Sequence, residues 1–497
     1  MKNLLISFQN NTDVIGLKYI HSYLCENQID SYMLFIPHYN DGDNDPLAEF
    51  IIGLEPTVLG ISLMSSEFHA AKKFTLMLKK AIPEVIVVWG GIHPTVAPQD
   101  CLNYADYVFV GESEQVYLDF LERISKNKSV IDIPNSGYKS PDGIVINKLA
   151  PLNENLDDLP FPEHYPKKSY ILHNGKVIKM DIPLFERYSR YNAKFYSLVT
   201  TRGCPFSCSY CCNSAFNKLY GTNKIRKRSV ENVIKELSLA IKLFPKTICI
   251  NIQDDNFFTY DTVWMGEFAE KYKKLINKKF TCRTTPIHLN EKKISILKKA
   301  GLGWIFMGLQ CGSPRINKDV YKRNISNNQF IESAKIVKKN NIAPFYDVIL
   351  DNPYETEDDI LQTIEVILKI PKPFMLQLFS LCFYQGTELY DLALKDNIEF
   401  DNPTKKGQVK YKPTFFNKTI RLCPLLPRKF IRAIIKHRDS KLIRLLISLI
   451  YFPAILILEP LVWFWLFFIS FDYNLGYTIN TIFYFGKTGF NKIILRR

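Results

Sequence analysis

The stretch VTTRGCPFSCSYC at residues 199–211 places three cysteines, Cys204, Cys208 and Cys211, in a CxxxCxxC spacing. It follows a strand-like run that begins at Tyr196, and its Gly, Pro and Ser residues are typical of a loop. Three thiolates on one loop can bind three irons of a 4Fe–4S cluster, which otherwise takes four cysteines. The fourth iron is then open to a substrate or cofactor, as a catalytic zinc site keeps one position free. The stretch therefore predicts a chemically active iron–sulfur site.

Two other uses of these cysteines fit the sequence less well. A zinc site usually shows a second CxxC pair or a Cys/His pair, and the sequence has neither near this loop. A disulfide framework is not expected in a chain of 497 residues whose N-terminus lacks the pattern of a signal peptide. The eleven cysteines are therefore expected to be reduced, in the cytoplasm, and Cys212 is expected to pack as a small apolar residue.

The positive charge of the chain is concentrated near its C-terminus. The net charge is +15, and residues 401–497 carry 17 Lys and Arg against 4 Asp and Glu. Here the basic run 428–444 precedes an apolar run, 445–471, whose two halves are each shorter than the ~20 residues that a spanning helix needs. We expect a bent apolar hairpin on the inner face of a membrane, with a true span or a buried helical pair as alternatives. Nucleic acid is not an expected partner, because the first 400 residues are nearly neutral.

The first 125 residues alternate short apolar runs with amphipathic helical patterns, which predicts an α/β fold with a doubly wound parallel sheet. The expected strands are Asn3–Phe8, Ser31–Ile36, Thr57–Leu63, Val85–Gly90 and Tyr107–Gly111. Ligands of such sheets lie beyond the carboxyl ends of the strands. Three loops at these ends are candidates for binding: 62–66, 90–95 and 111–114. Paired glycines such as Gly90 and Gly91 let a backbone approach a large ligand closely.

The alternation resumes from Tyr196 to about Lys395 and predicts a partial barrel of six strand–helix units. The expected strands are Tyr196–Thr201, Thr247–Gln253, Phe280–Thr284, Trp304–Leu309, Ala343–Leu350 and Met375–Leu381. Barrel enzymes carry their chemistry at the carboxyl ends of the strands, so the polar residues there are candidates. They are Asp254, Asp255, Arg283, Gln310, Ser313 and Asp347, each with a turn or helix cap as the alternative. Arg226 and Arg228 either face an anionic ligand or form a solvated pair.

The segment between the two alternating regions is rich in Pro, Asn, Asp and Tyr. It is expected to be an irregular linker, with one hairpin near Asp142 and Gly143. The expected organisation is a ligand-binding sheet over residues 1–130, a linker over 131–195, a barrel over 196–395 and a basic, apolar region over 396–497.

Four loops of this chain resemble those of one enzyme family. The cysteine loop, Gly-Gly-x-His-x-Thr at 90–95, Gly-Glu-x-Glu at 111–114 and Gly-Leu-Gln-Cys-Gly-Ser at 308–313 resemble the radical S-adenosylmethionine (SAM) enzymes with a cobalamin-binding domain, in particular their class B methylases. The resemblance implies a 4Fe–4S cluster on the three cysteines, SAM on its open iron, and cobalamin on the N-terminal domain. It implies SAM contacts by Tyr210, Asp254, Asp255, Arg283, Gln310, Ser313 and Asp347. It implies cobalamin contacts by Ser62, Gly90, Gly91, His93, Thr95, Gly111 and Glu112.

Two features depart from the family pattern. Members that supply a lower axial histidine to cobalamin carry Asp-x-His-x-x-Gly after the first strand, whereas this chain has Asn11, Asp13 and Gly16 there. Cobalamin is then expected to bind without a histidine from this loop, and a domain that has lost its ligand is the alternative. Cys311 stands at a position that is usually serine, which puts one hydroxyl contact in doubt.

The resemblance implies reductive cleavage of SAM to a 5′-deoxyadenosyl radical, which abstracts hydrogen from an unactivated carbon before that carbon is methylated. The substrate is expected to be a lipophilic small molecule or natural product, and the electron donor a flavodoxin- or ferredoxin-like protein. Family members that cyclise rings or rearrange carbon skeletons give an alternative. An RNA-modifying enzyme would carry a further N-terminal cysteine triad, and only two cysteines lie in residues 1–130. A non-enzymatic electron carrier would need a fourth ligand, for which Cys212 and Cys311 are the candidates.

Overall fold

The computed structural model describes residues 1–165, 167–401, 404, 409–472, 475–476 and 478–479. The chain forms two compact units. The first contains residues 1–194, 210–228 and 382–409, and the second contains residues 195–209, 229–381 and 410–497. The segment that begins at Tyr210 therefore groups with the N-terminal sheet, although it follows the first barrel strand in sequence.

The first unit is built on one sheet that has nine strands within the described residues. These are β1 (Lys2–Ser7), β2 (Asp30–Phe35), β3 (Val58–Ser62), β4 (Ile86–Gly90), β5 (Tyr107–Phe109), β6 (Ser136–Ser140), β7 (Gly143–Ile146), β8 (Ser169–His173) and β9 (Lys176–Lys179). Their order is β7-β6-β5-β4-β3-β1-β2-β8-β9, and the six strands from β5 to β8 are parallel. Buried residues such as Leu4, Leu59 and Trp89 form the core, so the predicted doubly wound sheet is confirmed.

The segment 131–195 differs from the expected irregular linker, because it extends this sheet at both edges. β6 and β7 form an antiparallel hairpin beside β5, and β8 and β9 form a second hairpin beside β2. The first turn lies at the predicted position, where Gly143 has a φ of 127°. Strands of four or five residues are too short for an alternating pattern to be read with certainty. The Pro- and Asn-rich composition therefore indicated a linker where the chain forms edge strands.

Helices cover the strands of the first unit. They are α1 (Ile15–Glu26), α2 (Asn44–Leu54), α3 (Phe68–Ala81), α4 (Ile92–Val96), α5 (Pro98–Cys101), α6 (Glu114–Ser125), α7 (Ile182–Tyr188), α8 (Cys212–Tyr220) and α14 (Glu388–Lys395). Most bury an apolar face against the sheet, as α6 does through Val116, Phe120 and Leu121. α8 is an exception, since none of its nine residues is fully buried.

The second unit is built on a parallel sheet with six strands in the described part of the chain, in the order β10-β13-β14-β15-β16-β17. The strands are β10 (Phe195–Leu198), β13 (Cys249–Ile252), β14 (Lys279–Thr284), β15 (Leu302–Gln310), β16 (Ala343–Leu350) and β17 (Met375–Ser380); the short strands β11 (Thr201–Arg202) and β12 (Arg226–Lys227) flank the cysteine loop. The connecting helices are α9 (Val230–Leu243), α10 (Thr262–Leu275), α11 (Glu291–Ala300), α12 (Asn327–Lys339) and α13 (Glu357–Lys369). Each of these helices is preceded by a capping residue whose side chain accepts a backbone hydrogen bond, such as Ser229 before α9. The sheet runs in sequence order from β10 to β17, so the predicted succession of six strand–helix units is confirmed.

The C-terminal part of the second unit contains α15 (Phe415–Leu422), α16 (Arg428–Lys436) and α17 (Lys441–Ser470). The expected apolar hairpin is wrong, because the run is one helix that continues through both prolines. At its end, Phe467 and Phe471 pack edge-on against Trp304 of β15, with ring centroids 5.2 and 5.9 Å away. A neighbouring carboxylate, Asp472, pairs with Lys298 at 3.1 Å. The end of α17 is thus part of the barrel core.

The remainder of α17 presents an apolar face that nothing in the described residues covers. The most exposed side chains of this face recur at intervals of three and four residues: Leu442, Leu445, Leu449, Phe452 and Leu456, each more than half exposed. We call these five residues the apolar stripe. By length and composition α17 is capable of crossing a membrane, and 11% of its most apolar 18-residue stretch is buried. A single helix of this kind is weak support for a membrane location.

Candidate functional site

The three predicted cluster ligands lie on the loop between β11 and α8. Each is half-buried and outside any disulfide, whereas five other cysteines are buried. Gly203, directly before the first ligand, has a φ of 102°, which a residue with a Cβ rarely adopts. Further along the loop, Ser209 donates from its backbone N–H to the Tyr321 carbonyl at 3.0 Å and from Oγ to the Val320 carbonyl at 2.5 Å. The backbone is therefore fixed around three accessible thiols.

These thiols have the donor chemistry of a 4Fe–4S site with one open iron. Cys204, Cys208 and Cys211 form no disulfide and lie within eight consecutive residues. Across the described part of the chain, no three His, Cys, Asp or Glu side chains already converge on a position that a metal ion could take. The donors thus fit the cluster by type and spacing.

Asp254 bonds to the backbone at the start of the cysteine loop. It is buried and accepts hydrogen bonds from the backbone N–H groups of Thr200 and Thr201 at 2.6 and 3.1 Å, and from the Thr200 hydroxyl. Burial raises the pKa of Asp254 to about 6, although these hydrogen bonds oppose the shift. Its carboxylate thus holds the loop backbone, whereas the adjacent Asp255 is exposed.

Two more predicted residues lie on β14 and β16 of this sheet, on either side of β15. Arg283 of β14 stacks its guanidinium on Phe306, 5.6 Å from the ring centroid. Asp347 of β16 pairs in register with Gly308 of β15, and its Oδ1 is buried without a partner in the described structure. Burial raises the pKa of Asp347 to about 6, and Arg283 and Arg323 oppose the shift. An unpaired buried carboxylate oxygen beside an arginine suits a ligand that donates a hydrogen bond.

The loop after β15 packs against α13. Gln310 has a φ of 65° at a bulge in the pairing of β15 with β16. Ser313 is fully buried and donates from Oγ to Asp359 at 2.5 Å. The Cys311 thiol donates to Glu355 Oε1 at 3.1 Å, and burial raises the pKa of Glu355 to about 7. Ser313 therefore orients the N-terminus of α13 through Asp359. The Cys311 thiol is hydrogen-bonded to the Glu355 carboxyl group.

Sequence patterns did not identify several residues that support the site. Tyr260 donates to the Thr200 carbonyl at 3.0 Å. The amide of Asn256 lies 2.9 Å from His288 Nδ1, and the His288 ring packs edge-on against Phe206 of the cysteine loop at 5.7 Å. Asn256 directly follows Asp254 and Asp255, and this position is the sequence feature that could have identified it. His288 and Glu355 lie on other loops, and no local pattern marks them.

The Gly-Gly-x-His-x-Thr loop follows β4 in the first unit. Gly91 has a φ of 94°, and a Cβ there would come within 2.9 Å of Ser62 Oγ, whereas a Cβ on Gly90 would meet open space. His93 is fully buried; its Nδ1 lies 3.0 Å from Ser65 Oγ, and its Nε2 has no partner in the described structure. Burial lowers the pKa of His93 to about 4, so the ring is neutral at pH 7. Open space at a glycine and an unpaired buried nitrogen fit a bulky ligand with polar groups, such as cobalamin.

The Gly-Glu-x-Glu loop after β5 is joined to the segment that follows the cysteines. Thr95 Oγ1 donates to the Gly91 carbonyl at 2.7 Å and accepts from Gly111 N–H at 2.9 Å. Glu112 is ion-paired with Arg226, whose side chain is 4% exposed. Arg228 is also buried, with its guanidinium 5.5 Å from the Phe161 ring centroid. The alternative that Arg226 and Arg228 form a solvated pair is therefore wrong. The Glu112 carboxylate is bonded to a protein side chain, so its role is not limited to contact with a ligand.

Two family models match the chain. The B12 binding domain matches residues 1–121, and the Radical SAM superfamily matches residues 198–367. The matched ranges contain the Gly-Gly loop and the cysteine loop, respectively. The two predicted cofactor domains are therefore both present, in the predicted order.

Individual proteins show the same combination. The chain is 26% identical over 357 residues to an uncharacterized methyltransferase of Pyrococcus horikoshii, covering 71% of this chain and 72% of that protein. It is 24% identical to the anaerobic magnesium-protoporphyrin IX monomethyl ester cyclase of Rubrivivax gelatinosus, covering 72% and 62%. The fold resembles the radical SAM methyltransferase TsrM from Kitasatospora setae, solved with cobalamin and a 4Fe–4S cluster bound, with a TM-score of 0.64, 14% identity and coverage of 80% and 75%.

Proposed function

Given that this chain belongs to the radical SAM enzymes that carry a cobalamin-binding domain, we propose that it methylates an unactivated carbon of a lipophilic small molecule. When bound, the cluster supplies the electron that splits SAM to a 5′-deoxyadenosyl radical, and the cobalamin carries the methyl group. The observation that carries this proposal is the loop of three half-buried cysteines, none in a disulfide, within the range matched by the Radical SAM superfamily. Cys204, Cys208 and Cys211 would hold the cluster.

The second unit offers two groups for SAM itself. The planar fork of Arg283 suits the methionine carboxylate, and the unpaired Oδ1 of Asp347 can accept a hydrogen bond from an amine or a ribose hydroxyl. Tyr210, Asp255 and Gln310 are proposed as further contacts. We assign Asp254 and Ser313 to positioning, because their oxygens already bond to Thr200, Thr201 and Asp359.

The first unit offers the loop after β4 for cobalamin. Gly90 leaves space for the ligand, and Gly91 and Thr95 set the path of the loop. His93 is proposed to bond to a polar group of the cobalamin through Nε2, which a neutral imidazole can use as donor or acceptor. Ser62 lies beside Gly90 in the strand register and is proposed as a second contact.

A lipophilic substrate is consistent with a membrane surface as a partner. The apolar stripe of α17 is exposed, and the preceding helix α16 exposes Lys429, Arg432 and Lys436. Apolar side chains beside exposed cations suit the interface of an anionic bilayer. We propose that the enzyme works in the cytoplasm, peripherally on the inner face of the membrane, and receives electrons from a flavodoxin- or ferredoxin-like donor.

Cleavage of SAM by the cluster-loaded chain tests the proposed function. After anaerobic reconstitution, the wild type is expected to form 5′-deoxyadenosine with a strong reductant. Cys208→Ala is expected to lower that rate at least about 100-fold, because the cluster loses one of its three ligands. The matched control Cys212→Ala should stay within about twofold. A wild type that holds four irons and leaves SAM intact would contradict the proposal and favour an electron carrier.

Methylation is distinguished from ring formation by the fate of the methyl group of SAM. The match to a cyclase makes a non-methylating reaction the second candidate. With SAM that carries a deuterated methyl group, we expect the label to reach the bound cobalamin, detected by mass spectrometry. Formation of 5′-deoxyadenosine without transfer of the label would favour the second candidate.

A further inference from the structure

The last residue of the helix α8, which follows the cysteines, is hydrogen-bonded to the Gly111–Glu112 loop. α8 begins at Cys212, one residue after Cys211, and ends at Tyr220. The Tyr220 hydroxyl accepts a hydrogen bond from the Glu112 backbone N–H at 2.8 Å. It lies so close to Gly111 that a Cβ there would clash with it, and Gly111 has a φ of 79°. The lack of a side chain at Gly111 therefore leaves room for the Tyr220 hydroxyl.

Arg226 makes a second attachment to the same loop. Its guanidinium forms a fork on the Glu112 carboxylate, with Nη1 to Oε2 at 3.0 Å and Nη2 to Oε1, and Nη1 also donates to the Asn153 carbonyl at 2.8 Å. On the other side of the loop, Asn135 donates to the Glu112 carbonyl at 2.7 Å. A bidentate pair in which the arginine is buried has a defined geometry, and truncating one partner leaves the other charge uncompensated.

These attachments continue to the proposed cobalamin loop. The hydrogen bonds run from the Gly91 carbonyl through Thr95 to Gly111, and the next residue, Glu112, meets Tyr220 and Arg226. We call Tyr220, Arg226 and the Gly111–Glu112 loop the clasp. Because α8 buries none of its residues fully, it has little core packing of its own to fix its position. The clasp therefore provides an attachment at its C-terminal end.

We propose that the clasp couples occupancy of the cobalamin loop to the order of α8 and the adjoining cysteine Cys211, which makes Tyr220 and Arg226 positioning residues. A ligand that fixes the Gly91–Thr95 turn also fixes Gly111 and Glu112, and through them the end of α8. This inference rests on the proposed function, since it takes cobalamin as the ligand of the first unit. Under this inference, Gly111 and Glu112 transmit the effect of cobalamin binding to α8 and do not themselves contact cobalamin.

Amide hydrogen exchange of the full-length, cluster-loaded chain tests the coupling. Adding aquacobalamin to the wild type is expected to slow exchange in peptides covering 210–220 at least about fivefold. In Tyr220→Phe, which removes the acceptor for Glu112 N–H, and in Arg226→Lys, which removes the fork, these peptides should exchange faster and respond less than about twofold. Matched controls are Tyr23→Phe and Arg123→Lys, whose side chains bond to Gln115 and Asp119 at the surface of the same unit.

The outcomes separate the coupling from the proposed chemistry. If aquacobalamin binds and Tyr220→Phe responds like the wild type, the clasp does not couple the two elements. If slowing is uniform over the first unit in wild type and variants alike, cobalamin acts by general stabilisation and the inference is also wrong. If the wild type binds aquacobalamin and orders 210–220 but leaves SAM intact, the proposed function fails while the coupling stands.

Discussion

The carboxylate of Asp254 accepts two backbone hydrogen bonds and one hydroxyl hydrogen bond from Thr200 and Thr201, at the point where β10 leads into the cysteine loop. This carboxylate is buried, so its bonds to the backbone are not shared with water. The start of the loop is thereby held to the segment that directly follows β13, in which Asp254 lies two residues after the end of the strand. A loop that must gather three thiolates around one cluster benefits from such an anchor, because less backbone entropy is lost when the cluster binds.

We expect Asp254→Ala to impair cluster assembly rather than only SAM binding. Three hydrogen bonds are lost and two buried backbone donors are left unpaired, which costs about 1–3 kcal/mol for each donor. Iron per chain after anaerobic reconstitution should fall by more than half. The matched control is Asp261→Ala, which removes a helix cap at the surface and costs about 1 kcal/mol. Normal iron content in Asp254→Ala would show that the anchor is dispensable.

The partly buried Glu355 makes stability depend on pH in a definite direction. Its pKa is raised from 4.5 to about 7 in the folded chain, so between these values the folded state holds a proton that the unfolded state has lost. The free energy of unfolding therefore falls as pH rises through this window, by at most about 3 kcal/mol, and the loss is complete above about pH 7. Glu355→Gln keeps an acceptor for Cys311 and should flatten this dependence.

The measurement is the Tm of each protein at about pH 5 and about pH 7.5. The difference between the two temperatures should be smaller in Glu355→Gln than in the wild type. Glu332→Gln, at an exposed ion pair with Lys335, is the matched control and should keep the wild-type difference. Equal differences in all three proteins would contradict a protonated Glu355.

His93 is expected to contribute to cobalamin affinity without acting as a pH switch. Its pKa of about 4 keeps the ring neutral across the physiological range, so protonation of His93 should not change binding between about pH 5.5 and 8. His93→Phe removes the unpaired Nε2 and is expected to weaken aquacobalamin binding about tenfold, measured by absorbance titration. His69→Phe changes an exposed histidine of the same unit and serves as the control. Unchanged affinity in His93→Phe would exclude the proposed contact.

Membrane binding should depend on the apolar stripe of α17. We expect the double variant Leu449→Gln and Phe452→Gln to lower binding to vesicles of phosphatidylglycerol and phosphatidylcholine more than about tenfold, since two largely exposed apolar side chains lose their transfer into the bilayer. Flotation with the vesicles measures the bound fraction. Leu76→Gln, at a half-exposed leucine of α3, is the matched control. Equal flotation of wild type and double variant would show that the stripe does not meet the membrane.

The positions of the strands could be predicted because buried parallel strands are short apolar runs separated by helical patterns. Ala343–Leu350 is a strand with the predicted bounds, and the other predicted strands differ from the observed ones by a few residues. The hairpin of β6 and β7 was predicted without its place in the sheet, and the hairpin of β8 and β9 was missed, because their pairing with β5 and β2 depends on partners distant in sequence. The break expected in α17 was also wrong, because packing of its end against Trp304 stabilises a helix that its prolines disfavour locally.

By itself, the sequence determined the cofactor class and the order of the domains, because the spacing of Cys204, Cys208 and Cys211 and the glycine loops are local features of the chain. Only the tertiary structure decided which polar side chains are available to a ligand. Asp254 and Ser313 have the residue types expected of SAM contacts, yet their oxygens are bonded to Thr200 and Asp359. The physical reason is that a hydrogen bond needs a partner within about 3 Å, and these partners lie 46 or more residues away in the chain.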